Sequence, residues 1–333
     1  MFIVSNYSLA IIFCFITMLC WGSWGNTQKL AGKTWRFELF YWDYVIGILL
    51  FSIISAFTLG SIGLEGRSFI PDLMQAEWGN IGSAFLGGII FNAANILLSA
   101  AIAIAGLSVA FPVGIGLALV LGVIINYIGQ KSGDPLLLFG GVALVTIAII
   151  LNALAYNKQA KQAKQVSSKG IIISLIAGLL MSFFYRFVAA SMDLENFVSP
   201  AAGKMTPYTA MFIFACGIFI SNFFFNTFMM KKPVDGEPVK YSEYFNGNFN
   251  IHLVGVLGGL IWGLGNAFNL IAAGVAGAAI SYGLGQGATL VSAFWGVFIW
   301  KEFKNAPKGT NMYLYLMFLL FLAGIGLIIL AGT

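Results

Sequence analysis

The sequence predicts an all-α membrane protein with ten transmembrane helices, arranged as two inverted repeats of five helices each. Two observations predict this fold. The first is composition, because 59% of the 333 residues are hydrophobic and only 9% are charged, which is too little charge to cover the surface of a soluble domain. The second is an internal match, because residues 86–106 and 257–277 align without a gap.

Ten apolar runs are long enough to cross a bilayer, which takes about 20 helical residues. The predicted spans are 7–28, 41–60, 79–105, 107–128, 135–156, 170–190, 207–230, 251–274, 276–300 and 312–330. The first run is not expected to be a cleaved signal peptide, since it lacks a basic leader and its apolar stretch is too long.

Lysine and arginine are unevenly distributed among the predicted loops. The loops after spans one, five, seven and nine carry Lys29, Lys33, Arg36, Lys158, Lys161, Lys164, Lys169, Lys231, Lys232, Lys240, Lys301, Lys304 and Lys308. The alternate loops carry little beyond Arg67, Lys131 and Lys204. Because basic residues are enriched in cytoplasmic loops, the first set is predicted to be cytoplasmic. The protein is then expected in the inner (plasma) membrane with both termini outside. Nucleic acid is not an expected partner, because the basic residues form no single face.

The matched segments "LGGIIFNAANILLSAAIAIAG" and "LGGLIWGLGNAFNLIAAGVAG" are spans three and eight. They share the opening Leu-Gly-Gly, the amides Asn95 and Asn266, and the closing Ala-Gly. Chance similarity between two glycine-rich helices is less favoured, because it does not explain the shared amide. A repeat of five spans reverses the direction of the second copy, an arrangement that gives transporters two facing states. The predicted units are a first repeat over 1–156, a cytoplasmic linker over 157–169 and a second repeat over 170–333.

Polar and aromatic side chains lie inside several spans, where an unsatisfied amide is costly. Aromatic faces combined with amide donors and acceptors suit a small, mostly uncharged ring or sugar. The alternative for each amide is a hydrogen bond between helices, and Arg186 could instead pair with the carbonyl end of a helix. The candidate substrate-binding residues are Trp21, Trp24, Asn26, Asn92, Asn95, Tyr185, Arg186, Trp262, Asn266, Gln286 and Thr289.

The sequence contains no nucleotide-binding motif of the type G-x-x-x-x-G-K-[ST]. Transport is therefore expected to use a proton or sodium gradient, or to be downhill. Asp43, just inside span two, is the proton-coupling candidate, and a carboxylate that stabilises the start of a helix is the alternative. The only histidine, His252, begins span eight and is expected at the membrane interface.

The remaining chemistry-bearing residues predict neither catalysis nor a bound group. The three cysteines all lie in apolar runs and match no disulfide framework or metal site. A membrane-embedded enzyme would need a cluster of titratable groups that one histidine cannot supply. We therefore expect a transporter without cofactor or metal, either a monomer or a homodimer, whose partners are a small-molecule substrate, the driving ion and the lipid bilayer.

Several segments resemble the ureide permeases of the drug/metabolite transporter superfamily. They are "CWGSWGNTQKL", "YWDYVIG", "GLSVAFPVGIGLALVLGVIINY", "MTPYTAMFIFACGIFISNFFFN" and, most specifically, "LGGLIWGLGNAFNLIAAGVAGAAISYGLGQGATLVSAFWGVFIWKEF". The resemblance implies the ten-helix, two-repeat fold of that superfamily and proton-driven import of ureides or nucleobases. It also implies relatedness to porters of glucose, ribose and rhamnose. The short linker departs from the long central loop of plant-type members and is similar to bacterial ones. An exporter from the same superfamily is the alternative, and the amide-rich spans disfavour it.

Overall fold

The computed structural model describes residues 1–32, 35–105, 107–160 and 168–333. These residues are mostly helical, and no β-strand occurs among them. The helices are α1 (Tyr7–Ser23), α2 (Gly25–Ala31), α3 (Phe37–Phe57), α4 (Phe69–Gln75), α5 (Trp78–Ala105), α6 (Leu107–Gly129), α7 (Pro135–Ala160), α8 (Ser168–Ser191), α9 (Pro207–Lys231), α10 (Tyr241–Phe245), α11 (Phe249–Ala276), α12 (Ala278–Gly285), α13 (Ala288–Phe294) and α14 (Thr310–Leu330). The predicted all-α architecture is confirmed. Most of the predicted linker, residues 161–167, lies outside the described ranges.

Within the described ranges, eight helices are long and apolar enough to cross a membrane. They are Tyr7–Ala31, Phe37–Phe57, Trp78–Ala105, Pro135–Gln159, Ser168–Ser191, Pro207–Lys231, Phe249–Ala276 and Thr310–Leu330. Each of them overlaps one predicted span, so the protein is a multi-pass membrane protein. The predicted spans 107–128 and 276–300 are not among the eight. The first contains the shorter apolar helix Val113–Gly129, and the second is interrupted.

The interruption lies between α12 and α13. The amide of Gly287 donates to the carbonyl of Leu284 at 2.9 Å, three residues back instead of four. The helix tightens there, and a wider π-type turn follows at Trp295–Ile299. Irregular backbone at membrane depth is tolerated where it is buried in protein or lines a cavity. This break therefore points to a functional region.

Glycines bring pairs of long helices into near backbone contact. Where α3 crosses α11, a Cβ on Gly259 would lie 2.0 Å from the Tyr44 carbonyl oxygen, and one on Gly47 would lie 2.2 Å from that of Val256. Such close approach is the usual role of small residues between membrane helices, which lack a hydrophobic driving force for association.

The same contact recurs where α5 crosses α9. A Cβ on Gly88 would lie 2.1 Å from the Phe214 carbonyl oxygen, and one on Gly217 would lie 2.3 Å from that of Phe85. The crossings α3–α11 and α5–α9 are thus built alike, each around a pair of glycines.

One end of the bundle, called the terminal end, holds both chain termini. Here the Tyr7 hydroxyl donates to the Ile329 carbonyl at 2.6 Å, and the Tyr208 hydroxyl donates to the Phe2 carbonyl at 2.9 Å. These bonds fix the starts of α1 and α9 beside the end of α14.

The opposite end, called the basic end, carries the lysine-rich loops. Lys29 pairs with Glu302 at 2.9 Å, and Lys158 donates to the carbonyl of Lys308 at 2.8 Å. Lys29, Lys158 and Lys308 therefore lie at one end of the bundle, together with Arg36, which pairs with Glu38.

Candidate functional site

A narrow inner cavity of about 40 Å³ lies beside the break between α12 and α13. Helices α1, α5, α6, α8 and α11 complete its wall. The lining residues are Trp21, Trp24, Phe91, Asn95, Leu98, Ile115, Met181, Phe184, Trp262, Gln286 and Ala288. None of these side chains is charged, so the cavity suits a neutral molecule.

The cavity walls are aromatic planes. Trp21 and Trp262 are parallel to within 9°, with ring centroids 5.8 Å apart. Phe91 packs against Trp262 at 4.3 Å, and Trp24 packs against Tyr44 at 4.7 Å. Such rings are large, rigid surfaces against which a planar heterocycle or the apolar face of a sugar can stack.

Two amides bring hydrogen-bonding groups to this aromatic wall. Asn95 is 2% exposed, and its Nδ2 donates to the Tyr41 hydroxyl at 3.2 Å. Gln286 lies at the helix break on the other side. The indole N–H of Trp21 is buried without a hydrogen-bond partner, which is a cost that a bound acceptor would remove.

A second space, called the vestibule, connects the inner cavity with the basic end. It has a volume of about 290 Å³, and it shares Trp21 and Trp24 with the inner cavity. Further lining residues are Gly22, Gly25, Asn26, Gln28, Lys29, Ile102, Ser292, Trp295, Gly296, Trp300 and Glu302. The two indoles therefore stand where the vestibule meets the cavity.

Hydrogen bonds between α1–α2 and the segment after α13 shape the vestibule. Trp300 Nε1 donates to Asn26 Oδ1 at 2.7 Å, and Trp295 Nε1 donates to Ser23 Oγ at 2.9 Å. The Asn26 amide also donates to the Ser23 carbonyl at 3.0 Å. Asn26, a candidate binding residue, thus lies in the vestibule with its amide already bonded to protein.

Five candidate binding residues line the inner cavity, namely Trp21, Trp24, Asn95, Trp262 and Gln286. Thr289 lies just after the break, and its hydroxyl donates to the Gln286 carbonyl at 3.1 Å. The structure therefore brings residues from spans one, three, eight and nine together around one space.

Four other candidates lie among helices, outside the residues that line the cavity. Asn92 Nδ2 donates to Ser221 Oγ at 2.9 Å between α5 and α9. Asn266 Nδ2 contacts the Met211 sulfur at 3.0 Å, and the Tyr185 hydroxyl donates to the Asn269 carbonyl at 3.3 Å. Arg186 lies against Gly129 at the end of α6, where a Cβ would be 2.3 Å from its Cζ. That is the position expected for a partner of a helix carbonyl end.

Sequence reasoning missed the aromatic residues Phe91, Phe184, Trp295 and Trp300, which line the two spaces. A signal existed for one of them, because Phe91 aligns with Trp262 in the matched segments. The other three follow no local pattern that separates them from ordinary membrane-facing aromatics.

Asp43 lies outside both spaces, in a polar cluster at the basic end. Its carboxylate is buried, accepts from the Tyr244 hydroxyl at 2.6 Å, and lies 2.8 Å from His252 Nδ1. Burial, and the carboxylate beside it, raise the pKa of the Tyr244 phenol above its usual range. The pairing of Asp43 with the only histidine was not foreseen, because 209 residues separate them.

A multi-pass helical bundle around an uncharged, aromatic inner cavity belongs to the class of membrane transporters for small molecules. The ureide permease family model matches residues 40–169 and 157–331. The chain therefore belongs to the ureide permease family, which identifies it as a membrane transporter of small metabolites and not an enzyme.

Similar proteins come from plants and bacteria. Ureide permease 2 of Arabidopsis thaliana is 26% identical over 98% of this chain and 98% of its own length. A Streptococcus pyogenes serotype M6 protein, provisionally named for sugar uptake, is 26% identical over 90% of this chain and 91% of its own. A solved crystal structure superposes with a TM-score of 0.58 over 96% of each chain, at 15% identity. At that identity the likeness concerns the fold alone.

Proposed function

We propose that the protein is a secondary active transporter that imports a small, neutral, polar metabolite by alternating access, driven by a proton gradient. The proposed substrate is a ureide or nucleobase, or else a sugar. The observation that carries the proposal is the inner cavity, in which parallel indole planes and the amides of Asn95 and Gln286 meet without a charged side chain. An uncharged ring with polar edges fits that lining.

Both substrate classes have support among the relatives. The plant relatives are named ureide permeases, and the streptococcal relative is provisionally named for sugar uptake. Stacking on Trp21 and Trp262 would suit the flat face of a base or ureide and the apolar face of a sugar equally well. The choice between them therefore depends on which edge groups meet Asn95 and Gln286.

The proposed architecture has ten crossings in two inverted repeats. The alignment that matches residues 86–106 with 257–277 pairs Phe91 with Trp262 and Gly88 with Gly259. Phe91 and Trp262 touch each other, as equivalent residues do beside a two-fold axis. The glycine crossing of α3 with α11 is matched by that of α9 with α5, which supports the same axis.

Contacts at the terminal end support the direction of the helices. The amide before α5, Glu77 N, donates to the Gly203 carbonyl at 3.0 Å, so α5 starts where the loop before α9 lies. Gln130, just after α6, accepts from the amide of Ala278, the first residue of α12, at 3.2 Å. If 107–128 and the interrupted 276–300 count as crossings, successive helices alternate in direction over all ten crossings.

The vestibule opens at the basic end, which the distribution of lysine and arginine assigns to the cytoplasm. On that assignment we propose a transporter that faces inward here, with both termini outside the cell. In the proposed cycle the two repeats rock about the inner cavity, so that it opens next at the terminal end.

Asp43 is proposed as the proton-coupling residue. It is the carboxylate buried inside a predicted span with a titratable partner beside it. Intramembrane acidic residues of this kind commonly mark ion or proton pathways. A sodium-driven mechanism is the competing possibility, and dependence of uptake on the imposed ion gradient separates the two.

Uptake into proteoliposomes tests the proposed function. Purified protein is reconstituted, an inward proton gradient is imposed, and labelled allantoin, uracil, ribose and glucose are supplied in separate assays. Accumulation of at least one compound above protein-free liposomes is expected. If none accumulates or exchanges while the protein is folded and inserted, the proposal is wrong. A thermal-shift screen with the same compounds measures binding independently, because a bound ligand raises apparent stability.

A further inference from the structure

We propose that Asp43 and His252 together form a proton-binding site, loaded from the basic end through the imidazole, and that its occupancy sets how α3 packs against α11. This inference rests on the proposed function and adds to it a second titrating residue, an entry route and a mechanical consequence. It is carried by the geometry of four side chains from four segments of the chain.

The first argument is the hydrogen-bond geometry of the carboxylate. Asp43 Oδ1 receives the Tyr244 hydroxyl and lies within bonding distance of His252 Nδ1, whereas its Oδ2 is buried with no hydrogen-bond partner. A buried carboxylate oxygen without a donor is unfavourable unless the carboxyl group is neutralised. A proton passed from His252 Nδ1 to Oδ1 would leave Oδ2 as the oxygen of an uncharged acid, for which a missing donor costs less.

The second argument is access. The His252 side chain is 22% exposed, whereas that of Asp43 is 2% exposed. A proton from water at the basic end can bind Nε2 of the neutral imidazole while the Nδ1 proton moves to Asp43. One proton enters in this step, and the pair changes from a single negative charge to neutral. The vestibule opens at the same end, so substrate and proton would meet the same compartment.

The third argument is that the pair lies on two helices that reach the cavity wall. Asp43 is flanked on α3 by residues that reach the cavity wall, since Tyr44 packs on Trp24 and Tyr41 accepts from Asn95. Opposite, α11 carries Trp262. A Cβ on Gly255 of α11 would lie 2.4 Å from Asp43 Cβ and 3.2 Å from its Oδ2, so the Asp43 side chain packs directly on α11 at this glycine.

The short helix α10 covers the pair. Its Tyr244 donates to Asp43 and packs edge-on against His252 at 4.8 Å, while Trp35 packs edge-on against the same imidazole at 5.0 Å and lies beside Tyr244 at 6.2 Å. Protonation of the pair would remove the negative charge on Asp43 that attracts the Tyr244 hydroxyl. Release of α10 would then accompany the change in α3–α11 packing.

Within the described ranges, the titratable groups that contact Asp43 are Tyr244 of α10 and His252 of α11. The nearby cation of the preceding loop, Arg36, is paired with Glu38 at 2.6 Å.

The other repeat has no such pair. The glycine crossings match Asp43 with Ile213, and the segment alignment matches His252 with Ile81. The pair therefore occurs once, at one end, which is what a directional coupling device requires.

The experiment compares gradient-driven accumulation with counterflow exchange for the wild type, Asp43→Asn and His252→Gln. Labelled allantoin, uracil, ribose and glucose are the probes. Both variants are expected to retain exchange but to lose at least about tenfold of proton-driven accumulation. Asp72→Asn is the matched control, because Asp72 is a second buried carboxylate that lies at the terminal end and accepts from the Thr206 amide. It should accumulate as the wild type does.

A second readout serves if Asp43→Asn fails to fold. Because the chain has a single histidine, a protein purified without a histidine tag and labelled on imidazole nitrogen gives one unambiguous pair of signals. Addition of whichever of the four probes binds is expected to move these signals in the wild type, since the substrate and proton sites share α3 and α11. Proton uptake on probe binding, followed with a pH dye, should disappear in His252→Gln.

The possible outcomes separate the two proposals. Absence of exchange with every probe in the folded wild type overturns the proposed function. Exchange with full proton-driven accumulation in His252→Gln overturns the pair while leaving the transporter intact. Unchanged imidazole signals and unchanged proton uptake on probe binding count equally against the pair.

Discussion

Asn95 and Asn266 occupy the same position in the two matched segments but meet different partners. Asn95 lines the inner cavity and donates to the Tyr41 hydroxyl at 3.2 Å. Asn266 contacts the Met211 sulfur at 3.0 Å, and its carbonyl oxygen is buried without a partner. The repeated sequence therefore specifies equivalent backbone positions, while the neighbouring helices assign the two amides different surroundings.

The pair Asn95 and Asn92 separates substrate binding from helix packing. Asn95→Ala should weaken probe binding by about tenfold, the value of one well-formed hydrogen bond, and it should also lower the free energy of unfolding by about 1 kcal/mol because the bond to Tyr41 is lost. Asn92→Ala removes the bond to Ser221 between α5 and α9, and should lower the free energy of unfolding by about 1 kcal/mol while leaving affinity unchanged. Ligand-dependent thermal shifts in detergent measure both effects. Unchanged probe affinity in Asn95→Ala would make Asn95 a packing residue.

Trp21 supplies both a stacking face and an unsatisfied indole N–H. Trp21→Phe keeps an aromatic face and removes the N–H, whereas Trp21→Ala removes both. If the substrate stacks on Trp21, the alanine variant should lose about tenfold in affinity beyond the phenylalanine variant, because an aromatic contact contributes about 0.5–1.5 kcal/mol beyond its buried area. Isothermal titration with the compound that binds in the thermal-shift screen measures the difference in affinity. Identical affinities of the two variants would exclude stacking on this ring.

Much of the fold follows from local sequence patterns. Length and hydropathy of the spans predict the helices, because a membrane helix must satisfy its backbone within one segment. The interruption at Gln286 was not predicted, although Gly285 and Gly287 flank it, because glycines in membrane helices more often serve close packing. Only the three-dimensional structure distinguishes the two uses.

The candidate site was predicted less completely than the fold. The repeated segments and the Trp21–Trp24 stripe point to side chains that do line the cavity. Asn92 and Asn95 lie on one helical face, so their spacing cannot tell which of them meets a cavity and which meets α9. The contact between Asp43 and His252 joins residues from the second and eighth predicted spans, and no short-range pattern encodes such a contact.

A glycine at a helix crossing and a glycine in open space should respond differently to replacement by alanine. Gly259→Ala would place a Cβ 2.0 Å from the Tyr44 carbonyl oxygen, and overpacking of this kind should lower the free energy of unfolding by about 1–3 kcal/mol. Gly326→Ala is the matched control in α14, because no atom lies within 4 Å of its Cβ. It should be neutral or raise stability by up to about 1 kcal/mol, since alanine favours helix. Thermal unfolding in detergent measures both, and equal behaviour would mean that the α3–α11 crossing is looser than described.

The environment of Tyr244 predicts a loss of stability in alkali. Its pKa is raised in the folded protein by burial and by Asp43, so the neutral phenol contributes stability that is fully present below the unfolded value of about 10. That contribution should fall as pH rises above about 10 and be lost as pH passes through the raised pKa. Tyr244→Phe should remove this part of the pH dependence, as measured by unfolding at fixed temperature between about pH 8 and 11. Parallel curves for both proteins would contradict the raised pKa.

Gly25 offers a test of the vestibule and of the membrane orientation together. It lines the vestibule, and a Cβ there would meet no atom within 4 Å, so Gly25→Cys should fold normally. A membrane-impermeant thiol reagent is expected to label it from the cytoplasmic side in inside-out vesicles, and to block exchange of a bound probe, because the added group fills the route past Trp21 and Trp24. Excess probe should slow the labelling.

Two controls accompany this test. Gly79→Cys, equally open at the start of α5 near the terminal end, should be labelled only from outside and leave exchange intact. The wild type, whose Cys14 and Cys20 are buried, controls for background. Labelling of Gly25→Cys from outside would reverse the orientation, and labelling without loss of exchange would remove the vestibule from the transport route.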